Sequence, residues 1–421
     1  MNISPAQWHS VDSSDSVSRK RGELERFPPG QDGRFDALTD LAGALYDRYK
    51  REGEIADLDE AITLLRDALG LRPIEDDDQS FSLNNLAVCL SNRYETLGVA
   101  GDLEEAITLG REALVLCPPG HPDRCVSLHN LACDLRMRFV KQAAIHDLEE
   151  AIKLLRTALE LRPCGHPHRS SSLHQLSLCL SNRHASQQVV ADLEEAVSLV
   201  REALELRPLG HPDRVLSLNH LAHLLRRRFQ QQASKHDLEE AIKILREALE
   251  LHPSGNLYRA LSFHELGLCL SHRYDDQGVL ADLEEAIILG RTALELHLPG
   301  HPDHSVSLHN LACNFRRRFM KQAGISDLEV AIKLHRAALE LRPSGHPRRS
   351  SSVYQLAICL SGRYDSQGEV VDLEEAITLA RAALELRPPG HPDRILSLNN
   401  LAHLLRRRSQ TQDSVDDLEE A

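Results

Sequence analysis

Cys117, His121, Cys125, His129 and Cys133 stand four residues apart, a spacing that would line soft ligands along one face of a continuous α-helix. Pro118-Pro119-Gly120 breaks any such helix between the first two members. The stretch 180 residues later reads His297, His301, Ser305, His309 and Cys313. Repeat packing is therefore the expectation, with no metal. His121, His166, His211, His301, His346 and His391 recur once in most units. Histidine titrates near neutrality, so a pH-sensing ladder is conceivable, but a copied connector residue is the simpler reading. No P-loop, nucleophile elbow, HExxH or glycine-rich dinucleotide loop occurs. The expectation is a protein that is not an enzyme and holds no cofactor.

Bulk composition points the same way. The 421 residues carry 49 Lys and Arg against 63 Asp and Glu, a net charge of −14, with 4% aromatics. That balance argues against general affinity for nucleic acid or anionic membrane, so neither is expected as a partner. No run approaches the 18 apolar residues of a membrane span. Nine cysteines without a secretory signal argue for a reducing, cytoplasmic setting. Residues 1–33 are Ser-rich, charged and almost without apolar periodicity, and are expected to be disordered.

The elements that must position any site are set by one phrase, Asp147-Leu148-Glu149-Glu150-Ala151-Ile152. It begins at Asp57, Asp102, Asp147, Asp192, Asp237, Asp282, Asp327, Asp372 and Asp417, always 45 residues on. A fixed period of this size is the mark of a stacked repeat array. Leu148, Ala151, Ile152, Leu155, Ala158 and Leu159 fall on one helical face. Asp147 is expected to be the N-cap of this helix B, with Glu150 at the capping-box position. Leu128, Leu131, Ala132 and Leu135 make the matching stripe of a helix A that starts near Pro122. The Arg that closes helix A recurs from Arg48 to Arg408, and is expected to bond a connector carbonyl or a carboxylate of the phrase. Residues 102–146 and 282–326 share 32 of 45 positions, more than neighbouring units share, so larger blocks have been duplicated. The fold expected is an all-α solenoid over 34–421, a right-handed superhelix of eight complete hairpins and a ninth cut short at Ala421. An end of that kind leaves an apolar stripe uncapped, a route to self-association, and reads as a fragment of a longer protein.

Leu128, Leu131, Ala132, Leu135, Ala151, Leu155, Ala158 and Pro163 occupy the places of the tetratricopeptide repeat (TPR) pattern. The unit resembles that repeat in its long-loop, kinesin-light-chain-like form, 45 residues against the usual 34. It is similar also to the multi-repeat TPR proteins of mushroom-forming fungi, which are often joined to a caspase-like CHAT-type domain. The resemblance implies a concave face lined by helix A, with two sets of ligand-facing residues. The first holds Asn84, Asn85, His129, Asn130, His174, Gln175, Asn219, His220, His264, Glu265, His309, Asn310, Tyr354, Gln355, Asn399 and Asn400. The second holds Arg136, Arg226, Arg227, Arg316, Arg317, Arg406 and Arg407. Amides and imidazoles grip an extended backbone without demanding a sequence, and arginine forks suit carboxylates and phosphates. The implied function is a non-enzymatic scaffold for protein or peptide partners, preferring acidic or phosphorylated segments. The alternative is the sensor arm of a larger signalling enzyme whose protease or NTPase domain lies outside this chain.

Overall fold

The computed structural model describes residues 13–71, 77–251, 257–296 and 304–412. They form eighteen α-helices, and no strand occurs among them. The chain divides into two compact units, 1–217 and 218–421. The first holds α1 (Ser13–Glu25) and the hairpins α2/α3 (Arg34–Glu52, Ile55–Leu69), α4/α5 (Asp77–Leu97, Ala100–Leu116), α6/α7 (Arg124–Gln142, Ile145–Glu160) and α8/α9 (Arg169–Gln187, Val190–Glu205). The division falls near the start of α10 (Arg214–Gln232). The second unit continues with α11 (Lys235–Glu250), α12/α13 (Leu257–Gln277, Leu280–Leu296), α14/α15 (His304–Gln322, Ile325–Glu340), α16/α17 (Arg349–Gln367, Val370–Glu385) and α18 (Arg394–Gln412). The expected ninth helix B, from Asp417, lies outside the described residues.

The hairpins form because each helix carries one apolar stripe that it cannot bury alone. In α7 that stripe is Leu148, Ala151, Ile152, Leu155 and Ala158, all buried against α6 and the next hairpin. The small residue of helix A, Ala132, Ala222, Ala312 or Ala357, is fully buried, where it lets two helix axes approach closely. Helix A ends on a left-handed residue that returns its N–H to a carbonyl four residues back, as Ala143 does to Phe139 at 2.7 Å. Glycine takes this conformation freely at Gly53 and Gly368, whereas Ala143 and Gln188 adopt it at a cost of about 1 kcal/mol.

Two expectations are corrected. Ser13–Glu25, expected to be disordered, is helical. Val17 is buried against the first hairpin, and Lys20 and Arg21 pair with Asp40 and Glu60. Residues 1–12 lie outside the described part of that stretch. The second correction concerns Asp147, which is the third residue of α7 and not its cap. Ala144 holds the cap position without any side-chain cap bond, and the Asp147 N–H reaches the Ala144 carbonyl at 3.1 Å.

The Asp147 carboxylate has another task. It accepts the Nε and Nη2 of Arg138, at the end of α6, at 2.7 and 2.8 Å. The same two-pronged bond joins Arg48–Asp57, Arg93–Asp102, Arg183–Asp192, Arg228–Asp237, Arg273–Asp282, Arg318–Asp327 and Arg363–Asp372. Helix A and helix B of one hairpin are thus locked at their shared loop. In several copies the remaining guanidinium nitrogen reaches back to the preceding hairpin, as Arg138 does to Glu104 at 2.7 Å and Arg273 to Glu239 at 2.8 Å. An outer ladder of exposed pairs links successive B helices, including Arg66–Glu105, Arg156–Glu195 and Arg336–Glu375.

Candidate functional site

Each helix A presents four positions that the TPR resemblance assigns to ligand. The structure divides them sharply. The first position is a seam between consecutive A helices. Asn84 Nδ2 donates to Ser127 Oγ at 2.8 Å, and Ser262 Oγ donates to Asn219 Oδ1 at 2.8 Å. His129 and His309 meet Ser172 and Ser352 through Nδ1 at 3.1 and 3.2 Å. Asn84, His129 and Asn219 are buried, so they hold the array together and do not face a groove. Asn399 of α18 is exposed.

The second position, one residue on, is also more enclosed than expected. Asn85, Asn130 and His220 are buried, while Asn310 and Asn400 are half-buried. Asn310 lies 3.4 Å from His264 Nε2, in a recess lined also by Ser307 and Asn314 and floored by Gly267 and Gly290. Asn85 Nδ2, Asn130 Oδ1 and Asn400 Nδ2 are buried atoms with no hydrogen-bond partner among the described residues.

The arginines were expected to face a ligand, and several are already paired within the chain. Arg226 is buried, with Nε 3.1 Å from Glu265 Oε2 and Nη2 3.2 Å from His223 Nδ1. Burial alone would raise the Glu265 pKa, but the Arg226 and His223 charges outweigh it and hold the carboxyl well below its usual range. Arg317 is paired two-pronged with Asp275 at 2.9 Å, and Arg407 with Asp365. The remaining members keep donors to offer. Arg136 and Arg316 are half-buried, and the Nε of each is buried without a partner. Arg316 Nη1 bonds the Met320 sulfur, at 3.4 Å. Arg227 is half-buried and Arg406 is exposed. Sequence reasoning missed Asn182, whose Nδ2 is also buried and unpartnered. It occupies the same place on α8 that Asn92 holds on α4, where Nδ2 donates to the Tyr46 hydroxyl at 3.3 Å.

The connector histidines prove structural. The Nδ1 of His121, His166, His211, His346 and His391 accepts the backbone N–H two residues on, at 3.1–3.2 Å. His301 lies outside the described residues. The five-residue Cys/His series is split between a connector turn and α6, with Cys117, Cys125, His129 and Cys133 all buried. Two other groups, His146–Asp147–Glu150 and His236–Asp237–Glu240, bring potential ligand atoms together, but Arg138 and Arg228 already occupy their aspartates.

Burial and the Arg162 charge hold the fully buried His129 well below the ordinary histidine pKa. A depressed folded pKa gives stability that is complete above the unfolded value of about 6.5 and falls as pH drops below it. Asn fills this seam position at Asn84 and Asn219 and makes the same serine bond. His129→Asn is therefore expected to match the wild type at pH 7.5 and to exceed it by about 2 kcal/mol at pH 5, as urea midpoints at the two pH values will show. Equal acid sensitivity of both proteins would refute the assignment.

These features define a helical-repeat binding scaffold. The chain matches the tetratricopeptide repeat family over residues 35–78, 124–168, 215–253 and 394–421, and the 45-residue period carries the same hairpin through the intervening units. The chain is a tetratricopeptide repeat protein, of a fold that generally binds and does not catalyse. No curated protein matches it. The human IFIT1 dimer with PPP-AAAA is similar in fold, at 17% identity and a TM-score of 0.52, covering 98% of this chain and 90% of that one. A putative kinesin light chain of Podosopora anserina with nearly identical TPR-like repeats gives 22% identity and a TM-score of 0.37, covering 52% of this chain and 98% of that one. BtubC from P. vanneervenii gives 20% and 0.42, covering 58% and 94%.

The IFIT1 structures correct one expectation. Nucleic acid was excluded as a partner on net charge and aromatic content, yet an array of this fold is solved with PPP-AAAA and with m7Gppp-AAAA. Low aromatic content and an acidic total do not rule out such a ligand for this architecture, because local field governs a site. Among the described residues, no helix is long and apolar enough to cross a membrane.

Proposed function

We propose that this protein is a scaffold that binds extended segments of partner proteins bearing acidic or phosphorylated side chains. Arg136 with Asn130 and Asn182 serves in the first unit, and Arg316 with Asn310 serves in the second. The observation that carries this reading is the set of buried donors without acceptors, Arg136 Nε, Asn182 Nδ2 and Arg316 Nε. A buried unpaired donor costs roughly 1–3 kcal/mol, more for a charged group. An arriving carboxylate or phosphate offsets that cost with a charge-assisted bond. Arg226, Arg317 and Arg407 are omitted because Glu265, Asp275 and Asp365 already neutralise them.

A phosphate-bearing oligonucleotide is the second reading, favoured by the fold likeness to IFIT1 with PPP-AAAA. Fluorescence anisotropy with acidic, phosphorylated, neutral and basic peptides, and with a 5′-triphosphate oligonucleotide, separates the two. Arg136→Ala and Arg316→Ala are each expected to weaken the preferred peptide about tenfold, less at high salt. Equal binding of basic peptides, or an unchanged double variant, would refute the reading. Tight binding of the oligonucleotide alone would establish the second one.

A further inference from the structure

His335 breaks the pattern of its helix. The same helix B position holds Leu65, Gly110, Leu155, Val200, Leu245, Gly290, His335 and Ala380. It faces the packed interior, and His335 is fully buried there with neither ring nitrogen bonded to any of the described residues. An imidazole in an aliphatic slot with two unpaired nitrogens is expensive, and such an atom needs an explanation.

Its neighbours supply one. The His335 ring stands edge-on to His309, with centroids 5.1 Å apart. His309 Nε2 lies 3.8 Å from Cys313 Sγ, one turn on along α14. Two ligands of one tetrahedral ion, bonded at about 2.0 and 2.3 Å, stand at much this separation. His309 Nδ1 faces Ser352 Oγ at 3.2 Å. In the tautomer with its proton on Nδ1, that bond fixes the ring and leaves the Nε2 lone pair toward Cys313, as a metal ligand requires. His309 and Cys313 are partly exposed, which gives an ion a way in, with His335 at the bottom.

We propose that His309, Cys313 and His335 form a binding site for Cu(I). The three donor atoms do not already converge within 4.8 Å, so binding turns the His335 ring toward the other two. Cys313 gives up its thiol proton to solvent, and no electron is transferred when the ion arrives as Cu(I). Charge selects the ion. Arg316 and Arg342 act on both His335 and Cys313, while the Arg317 charge near Cys313 is offset by its partner Asp275. A divalent ion with one thiolate would leave a net positive charge among these guanidiniums, whereas Cu(I) with one thiolate is neutral. Soft thiolate and imidazole donors suit Cu(I) as well. An internal comparison exists in the first unit. His129 and Cys133 repeat the His-x-x-x-Cys pair on α6, but Leu155 stands where His335 does, so the third ligand is missing.

The test titrates the intact chain with Cu(I), kept reduced by ascorbate, against a chromophoric Cu(I) chelator, with Ag(I) as a redox-inert check. One tight Cu(I) that depends on this site is expected. His335→Leu and Cys313→Ser should each weaken it at least a hundredfold, while His129→Asn leaves it unchanged. His335→Leu restores the aliphatic residue of the repeat, so it should fold at least as well as the wild type by circular dichroism and melting. Cu(I) binding that is absent, or unchanged in His335→Leu, would overturn the site. Zn(II) binding there as tightly as Cu(I) would overturn the charge argument.

Discussion

Replacing Arg226 with alanine is expected to destabilise the protein by about 3–5 kcal/mol. Both side chains of the Arg226–Glu265 pair are only 9% exposed, so the truncation strands a carboxylate away from water. Much of the loss is that stranding and not the worth of the bond. It follows that Arg226→Leu combined with Glu265→Leu should recover most of the loss, since apolar replacement of a buried pair is often neutral. Arg317→Ala is the contrast. Its partner Asp275 is 43% exposed, and such a pair contributes about 0–1 kcal/mol. Urea unfolding of the three variants decides the matter. A loss below about 1 kcal/mol for Arg226→Ala would mean that solvent reaches Glu265.

The second large effect concerns the lock at the hairpin loop. Arg138→Ala should cost about 3 kcal/mol, because it leaves Asp147, 4% exposed, without its two-pronged partner. The helix N-terminus softens this by stabilising the carboxylate. Asp147→Ser separates the lock from the capping role expected of this aspartate. Serine caps helices well but cannot take a guanidinium fork. Under the lock, Asp147→Ser should cost nearly as much as Arg138→Ala, and the two losses should not add in the double variant. Under capping, Asp147→Ser would be close to neutral and Arg138→Ala independent of it.

The architecture was open to reading because one signal was repeated nine times over, with every apolar stripe in phase. α1 was hidden because only Val17 and Leu24, seven residues apart, mark its buried face. The terminal Arg of helix A was expected to bond a connector carbonyl or a carboxylate of the phrase; the structure takes the second, but the role of that carboxylate was misread. An aspartate two residues inside a helix and one at its cap look alike in sequence. The ligand-facing positions were the least legible. They were placed by likeness to shorter repeats, and packing between A helices here encloses Asn84, Asn85, His129, Asn130, Asn219 and His220. A signal was present: a serine recurs 43 residues after Asn84, His129, Asn219 and His309, at Ser127, Ser172, Ser262 and Ser352. The acids that neutralise Arg317 and Arg407 stand 42 residues before them, whereas the acid for Arg226 stands 39 after it. No single offset would have revealed all three.

The bonds between hairpins described above span only 34 to 46 residues of chain. That reach has a consequence during synthesis on the ribosome. A hairpin finds its partners as soon as the next 45 residues emerge, which takes about 2–9 s at 5–20 residues per second. Loop closure over such short separations costs little entropy and is fast beside translation. Each newly made apolar stripe is therefore covered within seconds by the helix that follows it in the chain. The nascent protein never needs to wait for its far end, and the stretch exposed to aggregation at any moment is one repeat long.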